Sequence, residues 1–316
     1  MLCLDLKSTD PFFNLSVEEH FFKNGREEYL ILFINSPSAI IGKHQIAHRE
    51  TDTGYVTENN IPVVRRISGG GAVYHDEGNI NYSFIAHSEQ GRQINFPEYT
   101  LPVIEFLANL GVNARLEGKN NLMVDSFKIS GNAGHVKGER VLHHGTLLFD
   151  SHLNVLKDVL GKDTSAYTTK AVESIPSPVM NLKNIISGIT DSIQFKRKML
   201  EFFLSGTSEN AEVGLLPGEL KKILALAESK YRTWEWNYAY GPEYHFNRSF
   251  EINGKPHVCR LYVKEGIITE CRIEGSREME SAARKFSGCR HMPVAIKEIL
   301  QKENLYMSDQ EIYRFF

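Results

Sequence analysis

Cysteine is scarce in this 316-residue chain: Cys3, Cys259, Cys271 and Cys289 are all there are, and no two form a C-x-x-C pair. That spacing argues against a zinc ribbon or a thioredoxin-like redox motif, and all four are read as reduced and mostly structural. An excess of one charge is also lacking. Lys and Arg number 36 against 39 Asp and Glu, a net charge of −3, which provides no broad basic field for nucleic acid or a membrane surface. No apolar stretch approaches the ~20 residues of a membrane span. The first residues include Asp5, Lys7 and Asp10 and have no signal-peptide core, so a cytoplasmic enzyme is the expectation. Two nucleotide motifs are missing as well. Gly118-Lys119 is followed by Asn120 and lacks the earlier glycine of a P-loop, and Tyr74 stands where a G-x-G-x-x-G would end. No repeat or low-complexity segment breaks the chain.

What is present is concentrated in one run. Val64 leads into Arg65, Arg66, Ile67 and Ser68, then Gly69, Gly70 and Gly71, then Ala72, Val73, Tyr74, His75 and Asp76. Three glycines in succession can turn several backbone N–H groups toward one anion. Arg66 beside them can fork onto phosphate or carboxylate oxygens. On the glycines alone, a phosphate site and a glycine-rich hairpin turn are both open. Residues 78–84 then alternate: Ile80, Tyr82 and Phe84 on one side, Asn79, Asn81 and Ser83 on the other. That is a strand with a buried face and an amide-rich face, which suits the wall of a site or an edge strand.

A second cluster follows about fifty residues on. Lys128 stands between Phe127 and Ile129, ahead of Ser130-Gly131-Asn132-Ala133, and His143-His144-Gly145-Thr146 comes next. A lysine flanked by apolar neighbours is either a solvated strand position or a point charge aimed at a transferring phosphoryl or acyl centre. His143 and His144 have no acid or nucleophile close in sequence, so one is expected to be packed, with a base role secondary.

The pattern predicts a helix starting near Asn14, a central strand over 29–34, strands over 39–42 and 62–66, and a helix over 101–110 closed by Gly111. Residues 161–181 show no periodicity and read as a mobile connection. Helices are expected over 192–204 and 218–230. The aromatic stretch 231–244 reads as a docking surface or, preferably, an interdomain seam. Beyond Pro242, turns at Asn253-Gly254 and Glu265-Gly266, strands over 258–264 and 267–273, and helices over 277–287, 293–302 and 308–315 outline a second domain. The expected division is 1–243 and 244–316.

The blocks Arg65–Phe84 (RRISGGGAVYHDEGNINYSF), Lys128–Ala133 (KISGNA) and His143–Leu148 (HHGTLL) closely resemble the lipoate–protein ligases. Asp10–Phe22, Ile40–Gln45, Pro178–Leu182 and Trp234-Glu235-Trp236 are similar to that family's other segments, so the resemblance spans about residues 10–245 in order. It implies an α+β fold: a large catalytic domain with a mixed sheet resembling biotin ligases and class II synthetases, and a small α+β C-terminal domain. It also implies a two-step reaction, in which ATP and lipoate give lipoyl-adenylate and the lipoyl group then passes to a lysine of an acceptor. In the family's pattern Arg66, Gly71, Ala72, Val73 and Tyr74 contact the nucleotide, and Lys128 lies between carboxylate and phosphate as the catalytic residue. Lipoate would meet Arg66, Gly70, Gly71, His75 and Lys128, with walls near Val73 and Tyr82 for its tail. Mg²⁺ is implied with ATP. The implied acceptors are lipoyl domains of 2-oxoacid dehydrogenase E2 subunits and the glycine cleavage H protein. Two positions depart from the pattern: Asn121 stands where the family often has an acid, and Ile46 where it often has Asn. The alternatives are a lipoyl or octanoyl transferase using a pre-activated donor, and a non-catalytic lipoate-binding protein. The absence of a cysteine between the glycine run and the His-His-Gly-Thr segment argues against the acyl-cysteine route of such transferases.

Overall fold

The apolar run Tyr29–Ile34 is a strand covered on both faces, which is why its hydrophobicity is continuous. Leu30, Leu32 and Ile34 point into one core; Ile31 and Phe33 point into another. A computed structural model of the chain describes every residue except 89–92, 162 and 253. The described residues form an eight-stranded mixed sheet in the order Ala211–Glu212, Leu2–Asp5, Tyr29–Ile34, Asn79–His87, Arg140–Leu148, Phe127–Lys137, Asn121–Val124, Arg115–Glu117. Pairing is parallel among the first three strands and antiparallel across the rest. Helices Phe96–Asn109 and Ser192–Ser205 cover one face, through Val103, Phe106, Phe195 and Met199. Helix Pro11–Asn24 and a three-stranded sheet of Val63–Arg65, Ser38–Ile41 and Val73–His75 cover the other.

Two helix starts differ from the expectation. The first helix begins at Pro11 and is capped by Asp10, whose carboxylate accepts from the Phe12 N–H at 3.0 Å. Asn14 is therefore inside the helix and fully buried, with its amide used elsewhere. The helix expected at 101 begins at Phe96, with Pro97 in its first turn where a missing N–H costs nothing.

The C-terminal part has a separate sheet, ordered Tyr167–Thr168, Tyr244–Ile252, Lys255–Lys264, Ile267–Glu274, over a core of its own that includes Phe246, Leu261, Phe286 and Phe315. Glu265-Gly266 makes the expected turn, both residues with positive φ. Asn253 of the other expected turn lies outside the described residues. The aromatic stretch is a seam. Trp234 covers Gly266 so closely that a Cβ there would fall 2.7 Å from its ring, and Arg290 lies 4.2 Å over the same ring. His48, in the short helix Ala47–Glu50, meets the His291 carbonyl at 2.7 Å, and its ring lies tilted against Phe316 at 4.8 Å between centroids.

Arg65 anchors this arrangement. Its side chain is fully buried and donates to the carbonyls of Trp236, Gly42, Lys43, Gln45 and Asn237 at 2.6–3.2 Å. Burial lowers its pKa to about 10. Replacing it strands several buried acceptors at once. Arg65→Met is expected to destabilise the fold by at least about 3 kcal/mol, read as a lower urea midpoint. A change under about 1 kcal/mol would show that water replaces the guanidinium at little cost.

Candidate functional site

Strand alternation on Val63–Arg65 sends Arg65 toward the seam, while Arg66 turns to the opposite side, into the glycine loop. There the Arg66 guanidinium donates to the carbonyls of Gly69 at 2.6 Å, Gly71 at 2.8 Å and Ile40 at 3.2 Å, and its Nε to Ser68 Oγ at 2.9 Å. Burial lowers its pKa to about 10, partly offset by the charge of Glu18. Gly70 adopts φ +89°, and its carbonyl passes so near Gly42 that a Cβ there would fall 2.1 Å away. The glycines are needed for conformation and close approach together.

Arg66 and the loop border a cavity of about 420 Å³, in the usual range for small-molecule sites. Its apolar part is made by Leu15, Phe33, Ile40 and Val73; its polar part by Lys128, Asn120, Asn121, Asn132 and Thr146. Gly70, Gly71, Ala72, Val73 and His75 also line it. Tyr74 does not: alternation turns its ring into the small core with Ala39 and Val63. Tyr82 also lies off the cavity, in the core on the other face of the sheet, while its neighbour Asn81 lines the wall.

Lys128 reaches the cavity through a bulge. Met123 pairs with Lys128 and Leu122 with Ser130, so Ile129 is the extra residue. A bulge re-aims a side chain, and here the plain alternation expected from sequence fails: Phe127 is exposed, Ile129 buried and Lys128 half-buried. The ammonium has no hydrogen bond or ion pair among the described residues and curls over Gly131, where a Cβ would sit 3.1 Å from its Cε and Nζ. Burial lowers the Lys128 pKa. A desolvated cation without a partner invites an anion.

Beneath it lies a polar network. Tyr82 donates to Asn132 Oδ1 at 2.5 Å, His143 Nε2 meets the same oxygen at 3.0 Å, and Asn132 Nδ2 donates to the Asn120 carbonyl at 3.1 Å. Gly145 leaves room for it, since a Cβ would fall 2.3 Å from Asn132 Oδ1. His144 faces the cavity and gains the acid that sequence did not reveal. Its Nδ1 lies 3.0 Å from Glu18 of the first helix, and its Nε2 2.6 Å from Ser68 Oγ. Only the fold brings Glu18, Ser68 and His144 together.

Residues 163–181 are held at several places. Tyr167 and Thr168 pair with Phe246 and His245 of the C-terminal sheet. Ser174 Oγ accepts from the Ala72 N–H at 2.8 Å and from Gln45 at 3.1 Å, and donates to Glu50 at 2.5 Å. Val179 bridges Lys128, whose N–H donates to the Pro178 carbonyl at 2.8 Å. The connection is therefore a strap across the glycine loop; Lys162, at its start, lies outside the described residues.

Residues 10–204 match the family model of the lipoyl protein ligase A/B catalytic domain. The chain is 36% identical over 307 residues to lipoate–protein ligase 1 of Staphylococcus aureus, covering 94% of this chain and 92% of that protein. Its structure is similar to that of a lipoate–protein ligase A solved with ATP bound (TM-score 0.62, 26% identity, 74% of this chain and 97% of the other). Thermoplasma acidophilum supplies two similar structures at TM-score 0.63 and 25% identity, each covering 74% of this chain. One has lipoic acid bound and is covered over 97% of its length; the other, covered over 94%, belongs to a study of a bipartite ligase and its E2 lipoyl domain.

His75 and His143 are buried near the cavity, and burial lowers both pKa values from 6.5 to about 3. Both are neutral in the folded state at pH values where the unfolded chain binds protons. Their contribution is complete above about pH 6.5 and is lost as pH falls toward 3, by about 1.4 kcal/mol per pH unit for each. Denaturant titrations from pH 7 to 4 should show this slope, reduced by about half in His143→Gln. An unchanged slope in that variant would assign the acid sensitivity to other groups.

Proposed function

The chain belongs to the lipoate–protein ligase family, and from that premise we propose how its cavity carries out the ligation. It is an ATP-dependent lipoate–protein ligase. A lipoate carboxylate oxygen attacks the α-phosphorus of ATP, pyrophosphate leaves, and a mixed anhydride, lipoyl-adenylate, forms. The amine of an acceptor lysine then attacks the acyl carbonyl, an amide forms, and AMP leaves. The physical problem of the first step is bringing two anions into line. The observation that carries the reading is the half-buried Lys128 ammonium, which faces the cavity without a partner among the described residues. In this reading it lies between the carboxylate and the α-phosphate and offsets charge that builds up in the transition state.

The loop residues Gly71, Ala72 and Val73 meet the nucleotide, with Tyr74 contributing through its backbone. Arg66, Gly70, Gly71 and His75 meet lipoate together with Lys128. Arg66 acts mainly by fixing the loop, since its donors are already engaged by loop carbonyls. Magnesium enters with ATP. The lining provides amide oxygens from Asn120 and Asn121 and the carboxylate of Glu173, which pairs with Arg49 at 3.1 Å. Such oxygens suit a hard cation that keeps most of its ligands from phosphates and water. An acyl-cysteine route gains no support, because none of the four cysteines is among the residues that line the cavity. Lipoyl domains are the acceptor class. E2 subunits of 2-oxoacid dehydrogenases and the glycine cleavage H protein are the acceptors proposed.

The division proposed is a catalytic part, 1–243, and an accessory lobe, 244–316, that changes orientation between the two steps; of the hinge region expected over residues 242–249, residues 244–249 lie in the paired strand Tyr244–Ile252, which leaves the bend to the residues just before it. Pyrophosphate must leave before a protein lysine can enter, and one closed arrangement hardly admits both. The strap supports this coupling, since one segment pairs with the lobe's sheet and bridges Lys128. Adenylate would hold the strap over the anhydride and keep water from it.

Two measurements test the reading. Lys128→Ala should lower pyrophosphate release by about 10²–10³-fold with the fold intact, and Lys128→Arg should not restore it. Release within about threefold of wild type in the Ala variant would remove Lys128 from the mechanism. For the lobe, Gln310 donates to Glu58 at 2.8 Å across the seam. Cysteines at these two positions (Glu58→Cys with Gln310→Cys), joined by a bis-maleimide crosslinker with a reducible disulfide in its spacer, should spare adenylation and slow acceptor lipoylation until the spacer is reduced. Equal transfer rates with and without reductant would make the lobe a static support.

A further inference from the structure

Asn132 borders the cavity, yet strand alternation turns its side chain to the far face of the sheet, beside Tyr82, where it is buried. Every polar atom of that amide is engaged. Its Nδ2 donates to the Asn120 carbonyl at 3.1 Å and to Ser130 Oγ at 3.2 Å. Its Oδ1 accepts from the Tyr82 hydroxyl at 2.5 Å and lies 3.0 Å from His143 Nε2. A carbonyl can only accept, so the Asn120 contact fixes which end of the amide is the nitrogen. Oδ1 therefore faces His143, and His143 must bring a proton on Nε2. The ring is neutral, because burial lowers its pKa to about 3. Its Nδ1 is buried without a hydrogen bond, a place that suits a bare lone pair better than an N–H.

What Asn132 holds is the turn before the neighbouring strand. Its N–H and its Nδ2 both donate to the Asn120 carbonyl, the N–H at 2.9 Å, and Asn120 Nδ2 donates back to the Asn132 carbonyl at 2.7 Å. The residue after this lock is Asn121, which pairs with Gly131 across the ladder. Lys128 curls over that same glycine. Asn121, Gly131 and Lys128 all line the cavity. The Asn121 amide has no hydrogen bond among the described residues. An unengaged amide and an unengaged ammonium thus flank one glycine.

The ring that orients Asn132 is packed from behind. His143 stacks on Tyr99 with centroids 5.1 Å apart and meets Phe96 edge-on at 5.3 Å. Both aromatic residues belong to the first turns of helix Phe96–Asn109. Lys119, in the turn that Asn132 closes, lies 5.9 Å over the Phe96 ring. Helix, ring, amide and turn form a closed circuit that ends at Asn121.

We infer that His143 and Asn132 are positioning residues of the ligase: the His143 Nε2–H holds the Asn132 amide in one orientation, and that amide sets Asn121 beside Lys128 to meet a phosphate of the nucleotide. The inference rests on the ligase reading. The acyl tail has the apolar part of the cavity, so loss of the relay should fall on ATP. His143→Leu removes the donor and should raise KM for ATP in pyrophosphate release about tenfold, with KM for lipoate within about threefold of wild type. His143→Gln keeps a donor at the place of Nε2 and should return the ATP value to within about threefold. Asn121→Ala, on the cavity side, should raise KM for ATP by a similar factor, and adding His143→Leu to it should raise it no further, because His143 acts through Asn121. In the unaltered protein, ¹⁵N resonances should show His143 protonated on Nε2 alone from about pH 8 to 5. Equal rises in both KM values or none in the Leu variant, no rescue by Gln, additive effects in the double variant, or a proton on Nδ1 overturns the inference and leaves ligation untouched. Failure of the wild type to release pyrophosphate with lipoate overturns the ligase reading, and this inference with it.

Discussion

A guanidinium cannot be buried without acceptors, and two consecutive arginines in this chain satisfy that constraint with carbonyls. Arg65 and Arg66 leave one strand on opposite sides, and carbonyl oxygens dominate the partners of both. Much of the architecture follows. The acceptors of Arg65 come from the aromatic stretch and from residues 42–45, so the aromatic stretch is fixed to the strand Val63–Arg65 and to the turn after Ser38–Ile41. The acceptors of Arg66 include two of the loop's own carbonyls, Gly69 and Gly71, so the guanidinium fixes the loop from inside. The anion site proposed at this loop would in this sense be the reverse side of an arginine site of backbone acceptors.

Local pattern made much of this legible. The glycine run, Arg66, Lys128 and the amide face of residues 79–83 all stand out in sequence, because alternation and glycine use are short-range signals. The helix Ser192–Ser205 and the C-terminal hairpin follow equally from periodicity and turn chemistry. What stayed hidden has a common cause. Glu18 and His144 are 126 positions apart, Ser174 and Ala72 102 apart, and Asn35 and His75 40 apart. No window of pattern reading brings such residues together; only sheet order and helix placement do. The bulge at Ile129 was hidden for another reason: an inserted residue is visible only against the partner strand, and its register is a property of the pair. The start of the first helix was misplaced because Asn14 suits an N-cap in isolation, whereas its amide is used to orient Asn35.

Small residues set the fine geometry of the cavity. Gly42, Gly131 and Gly145 each leave space that a neighbour fills: the Gly70 carbonyl, the Lys128 side chain and the Asn132–Tyr82 hydrogen bond. None is at a positive φ, so conformational freedom is not the reason for glycine at these positions. Volume is. A site that keeps a charged side chain, a backbone turn and a buried amide network within a few ångströms needs positions with no side chain at all.

Ser174 has a consequence for the timing of the cycle. The Ser174 hydroxyl is on the Ala72 N–H, so under the proposed placement of the nucleotide its arrival at that loop would exchange one hydrogen bond for another, with a net gain that is only a difference between two similar terms. Arrival and departure then become near-symmetric events. In that reading the hydroxyl that steps aside for the incoming group is the same one that returns as AMP leaves, so the Ala72 N–H is not left bare to hold the spent nucleotide. An enzyme that releases AMP every turnover would gain from such an exchange a shorter residence time without loosening the loop, because Arg66 holds the Gly69 and Gly71 carbonyls from the other side.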